Sequence, residues 1–277
     1  MVDTTDNTQT LTRIVAGTLE EPKPATNKNH IRVYNHNLCP FAARGRYAMS
    51  AKAVEFQECL ICTHDKATWF KEANGGMVPL MEMPTGELIP ESGVIAQFAI
   101  EKNAGKGIDL VPTDPLLAAQ MRLKMEAVQK LLNSIWGVTK SEENAKAFQE
   151  QTIPAFEKLC SEAGDKWLLG TDDLTQLDIW AGPFFEFLYM IDTYETDKDI
   201  VQLAHRMKWP KKDFSIFGKA PAWKAYVEKF REHPAIKPYC YNPKIFAAQV
   251  TYSEGYEAKE ETSKLALASL KGHYPEF

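Results

Sequence analysis

The sequence predicts an α/β domain built on a mixed sheet, in the element order βαβ-α-ββα, followed by an all-α helical domain. Three observations carry that expectation. Ile31-Arg32-Val33-Tyr34 alternates apolar and polar residues, the period of a half-buried strand. Pro84-Thr85-Gly86 stands between two short apolar runs, a turn composition that closes a hairpin. From Leu117 onward apolar residues return every three or four positions, the spacing of one helix face.

In chain order, residues 1–30 are rich in Thr, Asn and Asp and include Pro22 and Pro24, the composition of a flexible N-terminal extension. They hold no apolar run suited to a signal peptide and few of the arginines of a mitochondrial presequence. The first domain is expected over residues 31–104. After the Ile31–Tyr34 strand, Phe41 to Ala53 is dominated by Ala, Arg, Tyr, Met and Lys, mostly good helix formers. Pro40 suits the first helical turn, where a backbone N–H has no intrahelical partner. Val54 to Ile61 reads as a second strand, and Lys66 to Ala73 as a short helix. Leu80-Met81-Glu82-Met83 and Glu87-Leu88-Ile89 form the hairpin arms, and Ser92 to Lys102 carries Val94, Ile95, Phe98 and Ala99 on one helical face. This is the thioredoxin-like order, with a parallel strand pair joined across the Pro40 helix.

Residues 105–114, with Gly105, Gly107 and Pro112, read as a linker to an all-helical domain over 115–277. Leu117, Met121, Met125, Val128, Leu132 and Ile135 form a sustained stripe. Phe148, Thr152, Phe156 and Leu159 continue the spacing, and Pro154 is expected to kink or divide that helix. In Leu174-Thr175-Gln176-Leu177-Asp178-Ile179, Thr175 as N-cap and Asp178 at the third helical position make a capping box, with Leu174 and Ile179 as its hydrophobic staple. The box predicts a helix from Asp178 to Asp192. Ala222 to Glu232 is another, closed by His233-Pro234. Tyr239, Tyr241, Phe246 and Tyr252 follow, residues that either pack in a core or line a pocket above Cys39.

The chemistry centres on Leu38-Cys39-Pro40-Phe41, which sets one cysteine between a strand and a helix. Cys39 at a helix start faces unpaired N–H donors and the positive end of the macrodipole. That setting is expected to lower a thiol pKa from about 8.5 to roughly 3.5–7.5 and so to produce a nucleophilic thiolate. Met77-Val78-Pro79-Leu80 puts a proline directly before a predicted strand, where a cis bond turns the Val78 backbone toward a ligand. Only about 5–6% of such bonds are cis in folded proteins. In Pro90-Glu91-Ser92, Ser92 is either an ordinary N-cap or, with the helix-start N–H groups, a seat for a ligand carboxylate, while Glu91 receives an ammonium.

Composition bounds the rest. A chain of 277 residues with 44% hydrophobic content has material for two packed domains. A net charge of −5 and a pI near 5.8 argue against a nucleic-acid surface or a polybasic membrane anchor. Five cysteines, an odd number, fit a reducing cytoplasm better than a disulfide scaffold. No window approaches the roughly 18 apolar residues of a membrane-spanning helix.

These residues carry a family resemblance. The chain resembles the cytosolic glutathione transferases, and within them the omega class, through Cys39-Pro40-Phe41-Ala42 with Arg44, Lys66 followed by Trp69-Phe70, Val78-Pro79, and Glu91-Ser92. The resemblance implies the glutathione transferase fold, glutathione as co-substrate, no metal, and a homodimer in the cytoplasm. It implies that Cys39 forms a mixed disulfide with glutathione and that Phe41 packs beside it. Lys66 would hold the glycyl carboxylate, the Val78-Pro79 bend would pair with the cysteinyl moiety, and Glu91 and Ser92 would grip the γ-glutamyl end. The capping box would start the core helix of the second domain. On that helix Phe184 and Leu188 are the residues expected to wall a second-substrate pocket. The activity implied is thiol transfer (deglutathionylation) toward disulfide, oxidant or small electrophile substrates, with dehydroascorbate reduction and weak conjugation in detoxification. Glutathione offers two carboxylates, one ammonium and one thiol, and Lys66, the Ser92 helix start, Glu91 and Cys39 supply one partner for each. The chain departs from the family pattern at Ala43, commonly polar, at Asn74-Gly75-Gly76, and at Pro90 before the Glu-Ser pair.

A second resemblance, to the chloride intracellular channel family, shares the fold and a similar Cys-Pro-Phe motif. Arg44, Arg46 and Lys52 interrupt the segment that such proteins would insert, and charges at bilayer depth are costly, so stable membrane insertion is not expected. A non-catalytic binding module is the third reading. Cys59-Leu60-Ile61-Cys62 has CxxC spacing, but on a strand a separation of three points the thiols to opposite faces. With His64 it lacks the second ligand pair of a zinc finger. Cys160 and Cys240 have no activating neighbour in sequence. His36 either tunes Cys39 or is an exposed loop histidine, and Lys208 to Lys212 reads as a solvated loop.

Overall fold

The computed structural model describes residues 14–15, 22–36, 39–61, 66–193 and 215–242. The first unit is a mixed sheet with helices α1 (Pro40–Ala51), α2 (Thr68–Asn74) and α3 (Ser92–Lys102). Its strands β1 (Ile14–Val15), β2 (Ile31–Asn35), β3 (Phe56–Leu60), β4 (Leu80–Glu82) and β5 (Leu88–Pro90) lie in the order β1-β3-β2-β4-β5. The β2–β3 pair is parallel and joined across α1, as its long crossover requires. Strands β2–β4 and β4–β5 are antiparallel, the latter closed by Pro84-Thr85-Gly86. The fold class is the one the sequence predicts, and the order βαβ-α-ββα gains a strand: β1 lies within the segment expected to be a flexible extension and pairs parallel with β3. Helix α1 ends two residues before the expected Ala53 because Ala53 takes the left-handed conformation at φ +51°, which reverses the chain into β3.

Three expectations fail in this unit. Strand β2 is not half-buried: all five of its residues are buried. Its polar Arg32 is accommodated by a charge network, in which Nη1 lies 3.3 Å from Glu82 Oε2 and Nε donates to Gln57 Oε1 at 2.8 Å. Tyr34 donates its hydroxyl to the same Glu82 carboxylate at 2.7 Å. Nor are residues 22–30 a free extension. Lys23 Nζ lies 2.7 Å from Glu82 Oε1, Thr26 donates to it at 2.9 Å, and Arg32 donates to the Pro24 carbonyl. Burial raises the Glu82 pKa, but bonds from Lys23, Tyr34 and Thr26 outweigh it and hold the carboxyl below its ordinary range. On α3 the inward face is Ile95, Ala96 and Ala99, while Val94 is 52% exposed. Helix α1 approaches through Gly45, where a Cβ would stand 2.9 Å from Ile95 Cγ2, so α3 turns Ile95 rather than Val94 inward.

The chain divides between Lys106 and Gly107. Residues 107–114, expected as linker, belong to the second unit: Leu110 is buried and its carbonyl accepts from Gln176 N at 2.7 Å. This unit comprises α4 (Pro115–Ser134), α5 (Glu142–Ala147), α6 (Ile153–Ala163), α7 (Gln176–Thr193) and α8 (Pro221–Glu232) among the described residues. Asp114 caps α4 by accepting from Leu116 N and Leu117 N. Met121, Val128, Leu132 and Ile135 of the predicted stripe are buried. Pro154 divides its helix as expected: a π-helical turn, Phe148–Thr152, precedes it, and the proline sits in the first turn of α6.

Only the Asp178 half of the expected capping box forms, since Thr175 Oγ1 donates to Asp178 and Asp178 N bonds the Thr175 carbonyl instead, but that half reaches further than its own turn. Asp178 Oδ2 accepts from Thr175 N and Thr175 Oγ1, both at 2.8 Å, while Oδ1 accepts from Leu168 N at 2.9 Å and from the Tyr226 hydroxyl at 2.6 Å. The side chain is fully buried, so one carboxylate ties the α6–α7 connection and α8 to the start of α7. Phe156, Phe185 and Trp223 pack with ring centroids 4.7–5.0 Å apart at the centre of this unit. No helix among the described residues is long and apolar enough to cross a membrane. Cys62, His64, Lys208–Lys212, Phe246 and Tyr252 lie outside the described residues.

Candidate active site

Cys39 occupies the N-cap of α1 with an extended backbone, and Pro40 opens the helix. The sheet register brings its loop together with two others. Tyr34 pairs with Leu80 and Leu80 with Pro90, so the end of β2, the start of β4 and the end of β5 share one edge. Val78-Pro79 directly precedes β4 and Glu91-Ser92 directly follows β5, while Cys39 stands four residues beyond the end of β2. The Val78–Pro79 bond is cis, as expected, and the Cys39 thiol donates to the Val78 carbonyl with Sγ 3.9 Å from the oxygen.

Around the sulfur, the backbone N–H groups of Phe41 and Ala42 and the cations Arg46 and Arg44 favour thiolate, as the helix-start reading requires. Burial outweighs them and pushes the Cys39 thiol up, the reverse of the depressed pKa the sequence predicts. The sequence supplies the dipole and the charges but not the solvent exclusion. Arg44 is buried, and its guanidinium carbon lies 5.4 Å from the centroid of the Phe41 ring. Burial holds its pKa down to about 9, which leaves it cationic at neutral pH. Arg46 Nη1 pairs with Glu58 Oε1 at 3.0 Å beneath α1, both side chains being buried. The sequence identifies Arg46 only as a charge that interrupts the segment and gives Glu58 no role; their pairing comes from residues twelve apart on different elements.

His36 is not an exposed loop histidine. It is buried, and its carbonyl accepts from Cys39 N at 3.1 Å. Burial, with the nearby charges of Arg46 and Lys66, lowers its pKa to about 4. The imidazole is therefore neutral at physiological pH and offers Cys39 no positive charge; the contact His36 makes with Cys39 is through its backbone carbonyl.

Lys66 lies just before α2 and is half-buried. Glu91 is exposed at φ +74°, an unusual conformation for a non-glycine residue, and it turns the chain into α3. No side chain caps that helix, and Ser92, its first residue, is buried. A cation, a carboxylate, an uncapped helix start and a sulfur thus stand on the loops of one compact unit. Phe184 and Leu188 belong to the core of the second unit. Both are fully buried, Phe184 against Trp136 with centroids 6.4 Å apart, so neither presents a wall to a ligand. Cys59 is buried on β3, and Cys160 and Cys240 are pushed up by burial, which suits inert thiols. No group of metal-ligating side chains occurs among the described residues.

Comparison with known proteins agrees with this geometry. The family model for the glutathione S-transferase N-terminal domain matches residues 38–102, which span Cys39 to the end of α3. Glutathione S-transferase omega-1 of Sus scrofa is 30% identical over 189 residues, covering 65% of this chain and 78% of its own length. Among solved structures, glutathione transferase Omega 3C of Trametes versicolor superposes with a TM-score of 0.60 at 18% identity, over 77% of this chain and 90% of its own. Rice GST1 in complex with glutathione gives 0.61 at 19% identity, over 83% and 98%. With a cysteine at the start of α1, a Val-Pro bend facing it and a pig relative matched over most of its length, the chain belongs to the omega-class glutathione S-transferases.

Proposed function

We propose that the protein is a glutathione-dependent thiol transferase that carries glutathione on Cys39 as a mixed disulfide. The observation that supports this best is the sulfur of Cys39 held at a helix start between the Val78 carbonyl and two arginines. A serine or tyrosine there activates bound glutathione by hydrogen bonding, whereas a cysteine itself attacks sulfur. Cys39 Sγ attacks the glutathione sulfur of a mixed disulfide. The Sγ–S bond forms, the original S–S bond breaks, and the departing thiolate takes up the proton that Cys39 gave up. A second glutathione then attacks the Cys39 adduct, releasing glutathione disulfide and restoring the thiol. With dehydroascorbate, two glutathione thiols are oxidised to one disulfide and the substrate gains two electrons and two protons.

In this reading residues 31–104 bind glutathione. Lys66 holds the glycyl carboxylate, the backbone of Val78 at the Pro79 bend pairs with the cysteinyl moiety, and Phe41 packs beside it. Glu91 takes the γ-glutamyl ammonium, while Ser92 and the α3 N-terminus take its carboxylate. Among the described residues Cys39, Cys59, Cys160 and Cys240 form no disulfide, in keeping with a reducing cytoplasm. Incubation with glutathione disulfide followed by mass spectrometry should show one glutathionyl group on Cys39, removed by reductant and absent from Cys39→Ala. A native protein that takes up none would overturn the proposal. Because Glu91 is exposed, Glu91→Ala should weaken glutathione binding about tenfold, the low end for a charge-assisted contact.

A homodimer is proposed on a separate observation. Helix α4 exposes Leu116 and Leu123, 66% and 68% accessible and two turns apart, on the side away from its buried stripe. Leu123→Glu should shift sedimentation from dimer toward monomer; an unchanged dimer would place the interface elsewhere.

A further inference from the structure

We propose that Gly76 is a positioning residue for Lys66: the side chain it lacks leaves the space in which the lysine stem lies, and so fixes where the ammonium is presented to glutathione. The inference rests on the assignment of Lys66 to a glutathione carboxylate. Gly76 is buried in the turn that follows α2, with φ +71° and its N–H donating to the Phe70 carbonyl at 3.4 Å. A Cβ built there would stand 2.8 Å from Lys66 Cδ and 3.5 Å from Nζ. The first distance is shorter than any carbon pair tolerates, so something must move. The group that yields is the far end of a flexible lysine rather than backbone, so an added methyl displaces the ammonium, on top of the left-handed backbone strain that any side chain carries at this φ. Lys66 is half-buried, and the charge it carries is felt at His36, beside the Cys39 loop.

The neighbouring glycine provides the control. Gly75 also has a left-handed backbone, φ +58°, and closes α2, but a Cβ there finds only Met77 Cε, at 3.9 Å. Both glycines answer the same backbone requirement, and only Gly76 stands in the path of the lysine. A glycine demanded by the turn alone would leave glutathione recognition indifferent to which of the two is replaced.

The experiment compares Gly75→Ala, Gly76→Ala, Lys66→Ala and the Lys66→Ala/Gly76→Ala pair by glutathione calorimetry, steady-state kinetics and urea midpoints. The two glycine variants should lose similar stability. Gly76→Ala alone should raise Kd and KM for glutathione about tenfold with kcat little changed, because a charge-assisted contact is misplaced. In the Lys66→Ala background the same substitution should change Kd less than twofold. Equal glutathione affinity in the Gly75 and Gly76 variants, or a full-sized Gly76 effect without the lysine, would overturn the positioning role. Unchanged affinity in Lys66→Ala would overturn the carboxylate assignment, and the positioning role with it. If Gly76→Ala does not fold, Gly76→Asn adds a Cβ in a residue that tolerates left-handed backbone, and the same outcomes apply.

Discussion

Asp178→Ala is expected to remove about 4 kcal/mol of folding stability, well beyond the roughly 0.5–2 kcal/mol of an ordinary cap. The carboxylate is fully buried and accepts four hydrogen bonds, from Thr175 N, Thr175 Oγ1, Leu168 N and the Tyr226 hydroxyl. Alanine leaves two backbone N–H groups and two hydroxyls without their acceptor in a dry interior, each costing of order 1–3 kcal/mol before relaxation. Tyr226→Phe removes one donor and leaves the carboxylate three, so about 1.5 kcal/mol is expected. Urea unfolding with unchanged slope measures both. A loss below 1.5 kcal/mol in Asp178→Ala would mean that the carboxylate does no more than cap its helix.

The hydrogen bonds of Asp178 also mark how far the sequence reaches. Its bonds to Thr175 are three residues long, and the box is legible from spacing. Leu168 lies ten residues upstream and Tyr226 forty-eight downstream, and nothing local announces them. The same boundary runs through the first unit. Helix α3 and the β4–β5 hairpin are legible because turn chemistry and helical spacing are local. Arg32 in a fully buried strand is not, because Glu82, Gln57 and Lys23 come from elsewhere in the chain. Phe184 and Leu188 illustrate a different limit. Helix α7 is apolar almost all round, and such a helix is simply buried, so periodicity offers no face to assign to a ligand. At the candidate site the residue types and their loops are legible, since Cys39, Lys66, Val78, Glu91 and Ser92 adjoin recognisable element ends. The space between them is not, which is why Gly76 and His36 take their meaning from the fold.

Cys39 is expected to be alkylated with a pH midpoint above that of the same residue in urea-denatured protein, near 8.5. Two effects compete. Phe41 and Ala42 N–H groups, with Arg46 and Arg44, stabilise the thiolate, while burial and the Val78 carbonyl facing the sulfur favour the thiol, and burial prevails. The sign follows: with the pKa raised, less thiolate is present at neutral pH, and alkylation and thiol transfer should both climb with pH through the alkaline range. Removing a cation while keeping its stem, as in Arg44→Met, takes away stabilisation of the thiolate alone and should move the midpoint higher still. Arg44→Lys should leave it near the native value. Cys39→Ala has no sulfur to attack with, and thiol transfer should fall to the uncatalysed background at every pH while the urea midpoint stays near native. Iodoacetamide rates against pH, read by mass spectrometry of the Cys39 peptide, test the first three. A native midpoint below that of the denatured protein would show that the helix start and the arginines outweigh burial, and thiol transfer surviving in Cys39→Ala would remove the sulfur from the mechanism.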